Sequence, residues 1–265
     1  MPDRVSLNPL PKDFLKKIRP ANRTNLNYPD QSYSVQSDNM EIIPGIHQVD
    51  GINGNCYIVI RDGLTVIDTG IPGSGKKILS YIRDTLHREP TDIRTILITH
   101  FHMDHIGGVT ALKKAAPGLK VAIGAADAGY VSGQIALPVY PGFKGFLLRI
   151  AGVVMNPGIF PADILLHDGD RIDGLLCISI PGHTPGSIGL LDERTGTFFS
   201  GDILRYNGTS LSEGPSLFTM ALDHSHQSIR KIATLDFEIL LPGHGVPVRD
   251  GAAGKVREFA ATLSR

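Results

Sequence analysis

Thr95-Ile96-Leu97-Ile98-Thr99-His100-Phe101-His102-Met103-Asp104-His105, running on into Ile106-Gly107-Gly108, decides how this chain is read. An apolar, β-branched run ends abruptly in three histidines and an aspartate within six residues, and a helix-like segment begins directly afterwards. Alternation along the extended chain projects His100 and His102 to one side. The turn into the helix can swing Asp104 and His105 towards a second, neighbouring point. One ion could not easily take four donors from so short a segment, so the spacing suits two metals. A solvated loop is the plain reading of a lone histidine, but four donors on a strand-to-helix turn weigh against it.

Three later segments repeat the device of a polar residue placed at a strand end beside glycine. Pro181-Gly182-His183-Thr184-Pro185-Gly186 follows LLCISI, Ser200-Gly201-Asp202 follows TFFS, and Pro242-Gly243-His244-Gly245 follows FEILL. Glycine lets the backbone turn sharply next to each donor. Singly these are ordinary turns; together with the first motif they point to one site at a common sheet edge.

The order HxHxDH, Gly-His-Thr, Gly-Asp and a final Gly-His resembles the metallo-β-lactamase superfamily, over residues from about 42 to 250, with glyoxalase II and lactonase-like branches as the best match. The resemblance implies that His100, His102 and His183 hold a first metal. It implies that Asp104, His105 and His244 hold a second, with Asp202 bridging both. Asp68, in VIDTG, corresponds to the family's buried aspartate that steadies the site, and Tyr206 to a tyrosine that lactonase-like relatives use on the substrate carbonyl or leaving group.

The rest of the chain fits an α/β protein. Short β-rich runs (IIPGIHQV, NCYIVI, LTVID, with Arg61-Asp62-Gly63 as a turn) precede a helix-like 76–86, the strand at 95–99, helical 107–116, strand 119–124 and a helix through Ala125–Val131. Strand-like runs return over 164–201, then a helical 224–235, strand 237–241 and a helix near 251–263. Two such halves imply two mixed sheets packed face to face with helices outside, a four-layer αβ/βα sandwich. The expected organisation is an extended arm over 1–40 and one domain over 41–265, with an insertion near 133–162 serving as lid or substrate-facing loop. Phe143, Phe146, Leu147 and Leu148 make that insertion a candidate dimer contact as well, so a homodimer is one expectation.

Composition narrows the function. Lys+Arg and Asp+Glu both number 26, so no net field favours nucleic acid or an anionic membrane. Cys56 and Cys177 sit in apolar runs and read as buried small hydrophobes. The first twenty residues lack the apolar core of a secretory signal, and the expected location is the cytoplasm. Gly70-Ile71-Pro72-Gly73-Ser74-Gly75-Lys76-Lys77 nearly spells a phosphate-binding loop, but Lys77 stands where Ser or Thr must meet magnesium, so it reads as a helix entry. His224 and His226 read as polar residues near a helix start; one would contact substrate if that helix borders the site. His47, His87 and His167 are isolated and read as structural.

The expected chemistry follows from the donors. Imidazoles and carboxylates suit two zinc ions first, with manganese or iron as alternatives. Two ions about 3.5–4 Å apart share a water and lower its pKa towards about 7, giving a hydroxide that attacks the carbonyl of a small lactone or thioester. Asp104 is expected also to orient that nucleophile. Only 21 residues follow His244, short of the helical domain that a full glyoxalase II carries there. Asp202 rather than cysteine at the bridge argues against one branch of true β-lactamases. The alternatives are a mononuclear iron persulfide dioxygenase and a non-catalytic metal-binding module of the same fold.

Overall fold

In the computed structural model residues 40–138 and 158–263 are described. The expected arm over 1–40, except its last residue, and most of the 133–162 insertion, with its four apolar residues, lie outside them.

Among the described residues the first half builds β1 (Met40–Ile43), β2 (Ile46–Val49), β3 (Cys56–Ile60), β4 (Leu64–Ile67), β5 (Ile93–Ile98), β6 (Lys120–Gly124) and β7 (Ile164–Leu166). These strands pair in sequence order, antiparallel from β1 to β4 and parallel from β4 to β7. Parallel neighbours need crossover connections. Helix α1 (Ser74–Ser80), continued by a π-helical turn at Tyr81–Thr85, bridges β4 to β5. The short α2 (Met103–Ile106) and α3 (Val109–Ala115) bridge β5 to β6, and α4 (Ala128–Val131) follows β6.

The second half gives β8 (Arg171–Ile172), β9 (Leu175–Ser179), β10 (Ile188–Asp192), β11 (Thr197–Gly201), a hairpin of β12 (Leu204–Tyr206) and β13 (Leu211–Glu213), helix α5 (Leu222–Ile232), β14 (Ile239–Pro242) and helix α6 (Ala252–Thr262). Its main sheet runs β14-β11-β10-β9-β8, with β14 parallel to β11 and the other pairs antiparallel.

Period-two alternation sorts the side chains into layers. Along β3, Tyr57 and Val59 face the second sheet while Cys56 and Ile58 face α1 and α3. Leu97 on β5 points inward between Ile96 and Ile98, which point outward. In the second sheet Cys177, Phe199 and Leu241 point inward, and Ile178, Phe198 and Leu240 meet Ile229, Ile232 and Val256 of α5 and α6. Three cores therefore separate four layers, helix, sheet, sheet, helix. Each fully buried Leu, Ile or Phe adds about 1.5–3 kcal/mol of apolar burial. Both cysteines are free and buried in these layers, and burial raises both thiols, Cys177 to about 12.

Two differences from the sequence reading are local. The expected helix over 76–86 begins at Ser74 and changes to π geometry at Tyr81. The β12–β13 hairpin has too few apolar residues to stand out, and Asn207 makes its turn by accepting from the amides of Thr209 and Ser210.

Candidate metal centre

Asp68 follows β4, His100 follows β5, His183 follows β9, Asp202 follows β11 and His244 follows β14. Strands β4 and β5 are parallel, and so are β11 and β14. Strand β9 shares their direction with β11, because both are antiparallel to β10. The carboxyl ends of each sheet thus collect on one edge. The two edges are joined there by Ile188 N–H to Thr99 O at 3.0 Å and Asn55 N–H to Gly243 O at 2.7 Å.

The expected donors meet in two overlapping groups. His100 Nε2 and His183 Nε2 lie 3.1 and 3.0 Å from His102 Nδ1. His244 Nε2 lies 2.9 Å from Asp104 Oδ2, and His105 Nε2 lies 3.9 Å from Asp104 Oδ1. Asp202 stands between the groups, with Oδ1 3.3 Å from His105 Nε2 and Oδ2 3.8 Å from His183 Nε2 and 3.5 Å from His244 Nε2. The sets His100/His102/His183, His100/His105/Asp202 and Asp104/His105/His244 each converge within 4.8 Å.

Proton accounting shows that these atoms suit cations. Thr99 Oγ1 donates to Asp68 Oδ2 at 2.7 Å, so it accepts from His100 Nδ1 at 3.0 Å. Thr219 Oγ1 donates to Pro215 O at 3.1 Å, so it accepts from His183 Nδ1 at 3.4 Å. Both Nε2 atoms then carry bare lone pairs aimed at His102 Nδ1, which can donate to one of them at most. A tetrahedral ion with metal–nitrogen bonds of about 2.0–2.1 Å sets its donors about 3.3 Å apart, close to the spacing seen. His105 Nε2 and Asp202 Oδ1 are buried with no hydrogen-bond partner among the described residues.

Asp68 organises the second group. It accepts from Thr99 N–H at 2.8 Å and from His105 Nδ1 at 2.8 Å, which leaves His105 Nε2 for the site. A carboxylate behind a histidine ligand fixes its tautomer and raises its basicity. Asp68 adopts φ 55, a left-handed conformation that aspartate tolerates better than most residues.

The electrostatics agree. Burial, foremost, lowers His100 well below its usual value, His102 to about 4 and His183 to about 3, keeping them in the neutral form that binds metal. At His105 burial pulls downward, yet Asp68, Asp202 and Asp104 outweigh it and hold the ring raised. The proton they retain there is the charge a bound cation would replace. Burial pushes Asp104 and Asp202 upward, but His105, above all, holds both below the usual carboxylate range.

Several contributors escape a reading by motif. Asp127 accepts from Phe101 N–H (3.0 Å), Thr184 Oγ1 (2.6 Å) and Gly186 N–H (2.6 Å), bolting the first histidine loop to the His183 loop. Burial raises its carboxyl to about 6 against those three bonds. Thr219 orients His183, and Phe218 stands beside His102 with ring centroids 6.4 Å apart. Arg205 Nη2 donates to Asp202 Oδ2 at 3.0 Å. Gly243 is required by contact, because a Cβ there would lie 2.3 Å from Asp202 Oδ1.

The side chains of the remaining candidates have other partners. Tyr206 packs against the outer core of the second sheet, and its hydroxyl donates to Gly208 O at 2.9 Å rather than to any of the seven donors. His226 pairs with Glu213 at 3.0 Å, and His224 lines a mainly apolar cleft beside the His183 loop, with Pro181, Gly182 and Met220. Segment 70–77 is a helix entry: Gly70 O accepts from Gly107 N–H, and Lys77 donates to Gly51 O. His47 contacts the Tyr81 hydroxyl at 3.0 Å.

The metallo-beta-lactamase superfamily sequence model matches residues 49–244. The chain is 27% identical over 233 residues to the probable metallo-hydrolase YflN of Bacillus subtilis (strain 168), covering 78% of this chain and 86% of that protein. It is 33% identical over 155 residues to a hydroxyacylglutathione hydrolase of Cereibacter sphaeroides, covering 56% of this chain and 47% of that protein. The solved structure of TTHA1623 in a di-iron-bound form superposes with a TM-score of 0.61 at 26% identity, over 80% of this chain and 98% of that one. With its four-layer fold and its histidine and aspartate site at the strand ends, the chain belongs to the metallo-β-lactamase superfamily.

Proposed function

We propose that the protein is a hydrolase of small ester-like substrates, a lactone or a thioester, working with two divalent metal ions, zinc first. The observation that carries this reading is the place of Asp202, whose two carboxylate oxygens face donors of both groups. His100, His102 and His183 would hold one ion and Asp104, His105 and His244 the other. When bound, such a pair polarises a water and the substrate carbonyl at neutral pH. The protein's own part is to keep His100, His102 and His183 neutral by burial and to aim the rings through Asp68, Thr99 and Thr219. Asp104, the more open carboxylate, is placed to accept a hydrogen bond from the attacking water and orient it. Phe218 flanks His102 and offers an apolar wall on that side. The reading gives no step to Tyr206, whose hydroxyl is committed to Gly208.

An even balance of charge supports a small-molecule substrate rather than a nucleic acid. No helix among the described residues is long and apolar enough to cross a membrane. The proposal keeps the cytoplasm as the location and a homodimer as the assembly to test.

The test is metal content by elemental analysis, paired with a lactone and thioester panel before and after chelation. About two zinc ions per chain with chelator-sensitive, zinc-restored turnover supports the reading. One iron with oxygen consumption on a persulfide would replace it with a dioxygenase. Stoichiometric metal without turnover would favour a binding module.

A further inference from the structure

We propose that Arg205 recognises an anionic group on the substrate, so that the preferred ester or thioester carries a carboxylate or phosphate near its scissile carbonyl. This rests on the hydrolase reading above and narrows its substrate class.

Arg205 lies three residues beyond Asp202 on β12, where pairing with Ser212 of β13 holds its backbone. Its Nη2 donates to Asp202 Oδ2 at 3.0 Å, and Asp202 is its ion-pair partner among the described residues. The side chain is half-buried, 29% exposed, and its Nε is buried with no acceptor among the described residues. Nη2 is therefore engaged and Nε enclosed, which leaves Nη1 of the rigid fork for an anion beside the bridging carboxylate.

Charge makes this placement informative. A guanidinium is cationic at every working pH. Beside a carboxylate that serves metal ions it repels them, and it engages an oxygen they would use. The other residues that steady the site do so without positive charge: Asp68, Thr99, Asp127 and Thr219. A neutral donor would brace Asp202 as well, without opposing the cations. An arginine is favoured there if an anion arrives during binding, and its planar fork matches carboxylate and phosphate oxygens.

The test uses zinc-loaded wild type, Arg205→Gln and Arg205→Lys, with unfolding midpoints to confirm that each is folded. Hydrolysis of 4-nitrophenyl acetate is compared with that of mono-4-nitrophenyl succinate, each corrected for its uncatalysed rate. The ratio of kcat/KM, succinate over acetate, should fall at least tenfold in Arg205→Gln, through KM, and be partly kept in Arg205→Lys. Against a chromophoric chelator, Arg205→Gln should hold zinc as tightly as wild type or more tightly. An unchanged substrate ratio, or a variant that loses zinc, overturns the proposal and makes Arg205 a brace for Asp202. If wild type cleaves neither ester and none of the lactone and thioester panel, the hydrolase reading fails. Calorimetric binding of succinate and of inorganic phosphate to the zinc-loaded protein then decides the role of Arg205. At least tenfold weaker binding of either in Arg205→Gln upholds anion recognition and tells carboxylate from phosphate, whereas equal binding overturns it.

Discussion

Replacing Asp68 by asparagine isolates one function of the site, the choice of tautomer at His105. The oxygens of Asp68 accept three hydrogen bonds, from Thr99 N–H, Thr99 Oγ1 and His105 Nδ1, at 2.8, 2.7 and 2.8 Å. Asparagine has one accepting oxygen. If that oxygen keeps the Thr99 amide, the new NH2 group faces both the Thr99 hydroxyl and His105 Nδ1. His105 then relieves the clash by accepting at Nδ1, which moves its proton to Nε2. Nε2 is the atom that faces Asp202 Oδ1 at 3.3 Å and would bind an ion. Asparagine tolerates the left-handed φ of 55 as aspartate does, so backbone strain does not confuse the result. Loss of such a partner behind a ligand weakens metal binding roughly 10–100-fold, about 1.4–2.7 kcal/mol.

The assay is zinc titration of chelator-stripped protein against a chromophoric competitor at neutral pH, with circular dichroism to verify the fold. The step belonging to Asp104, His105 and His244 should weaken by that factor. The His100, His102 and His183 step should change less, because Asp68 reaches His100 only through the Thr99 hydroxyl. A variant that binds both ions with wild-type affinity would refute the tautomer argument.

Four further outcomes are expected. Asp127→Ala removes the acceptor of two buried amides and a hydroxyl; denaturant unfolding should show a loss of roughly 2–4 kcal/mol, and a loss under about 1 kcal/mol would count against the bolt. Gly243→Ala puts a methyl 2.3 Å from Asp202 Oδ1 and 2.9 Å from His105 Cε1, so zinc content should drop sharply. Gly254→Ala, with nothing within 4 Å on α6, should bind zinc normally and gain about 0.4–1 kcal/mol in stability. Chelator-stripped protein should lose stability as pH falls from about 6.5 towards about 4. The unfolded chain takes up the His102 and His183 protons first, while the folded rings stay neutral until about 4 and about 3. His105, being raised, acts oppositely, and its contribution is lost only as pH rises through that raised value. A melting profile that is flat between pH 7 and pH 4 would contradict these assignments.

What could be read from the chain alone is what local chemistry encodes. The segment from Thr95 to His105 carries its own strand, its turn and four donors, because consecutive residues cannot be far apart. The layers were legible too, since unbroken apolar stretches in runs such as NCYIVI and LLCISI can bury two faces only between packed elements. Resemblance then assigned His183, Asp202 and His244, and the fold brings all three to the same edge.

Tertiary structure decided which of many similar polar residues meet. Asp127 lies in a run of alanines and glycines with no motif, and its role exists only because Gly186, 59 positions away, folds against it. Thr219 acquires its partner at a separation of 36 residues. Resemblance to lactonase-like relatives points to Tyr206, and the hairpin pairing of β12 with β13 brings its hydroxyl to Gly208 and Arg205 to the carboxylate. Alternate residues of a strand face opposite sides, so a shift of one position exchanges a tyrosine for an arginine at the site. Composition and spacing name the donors; strand register and the crossing of two sheets decide which way each one points.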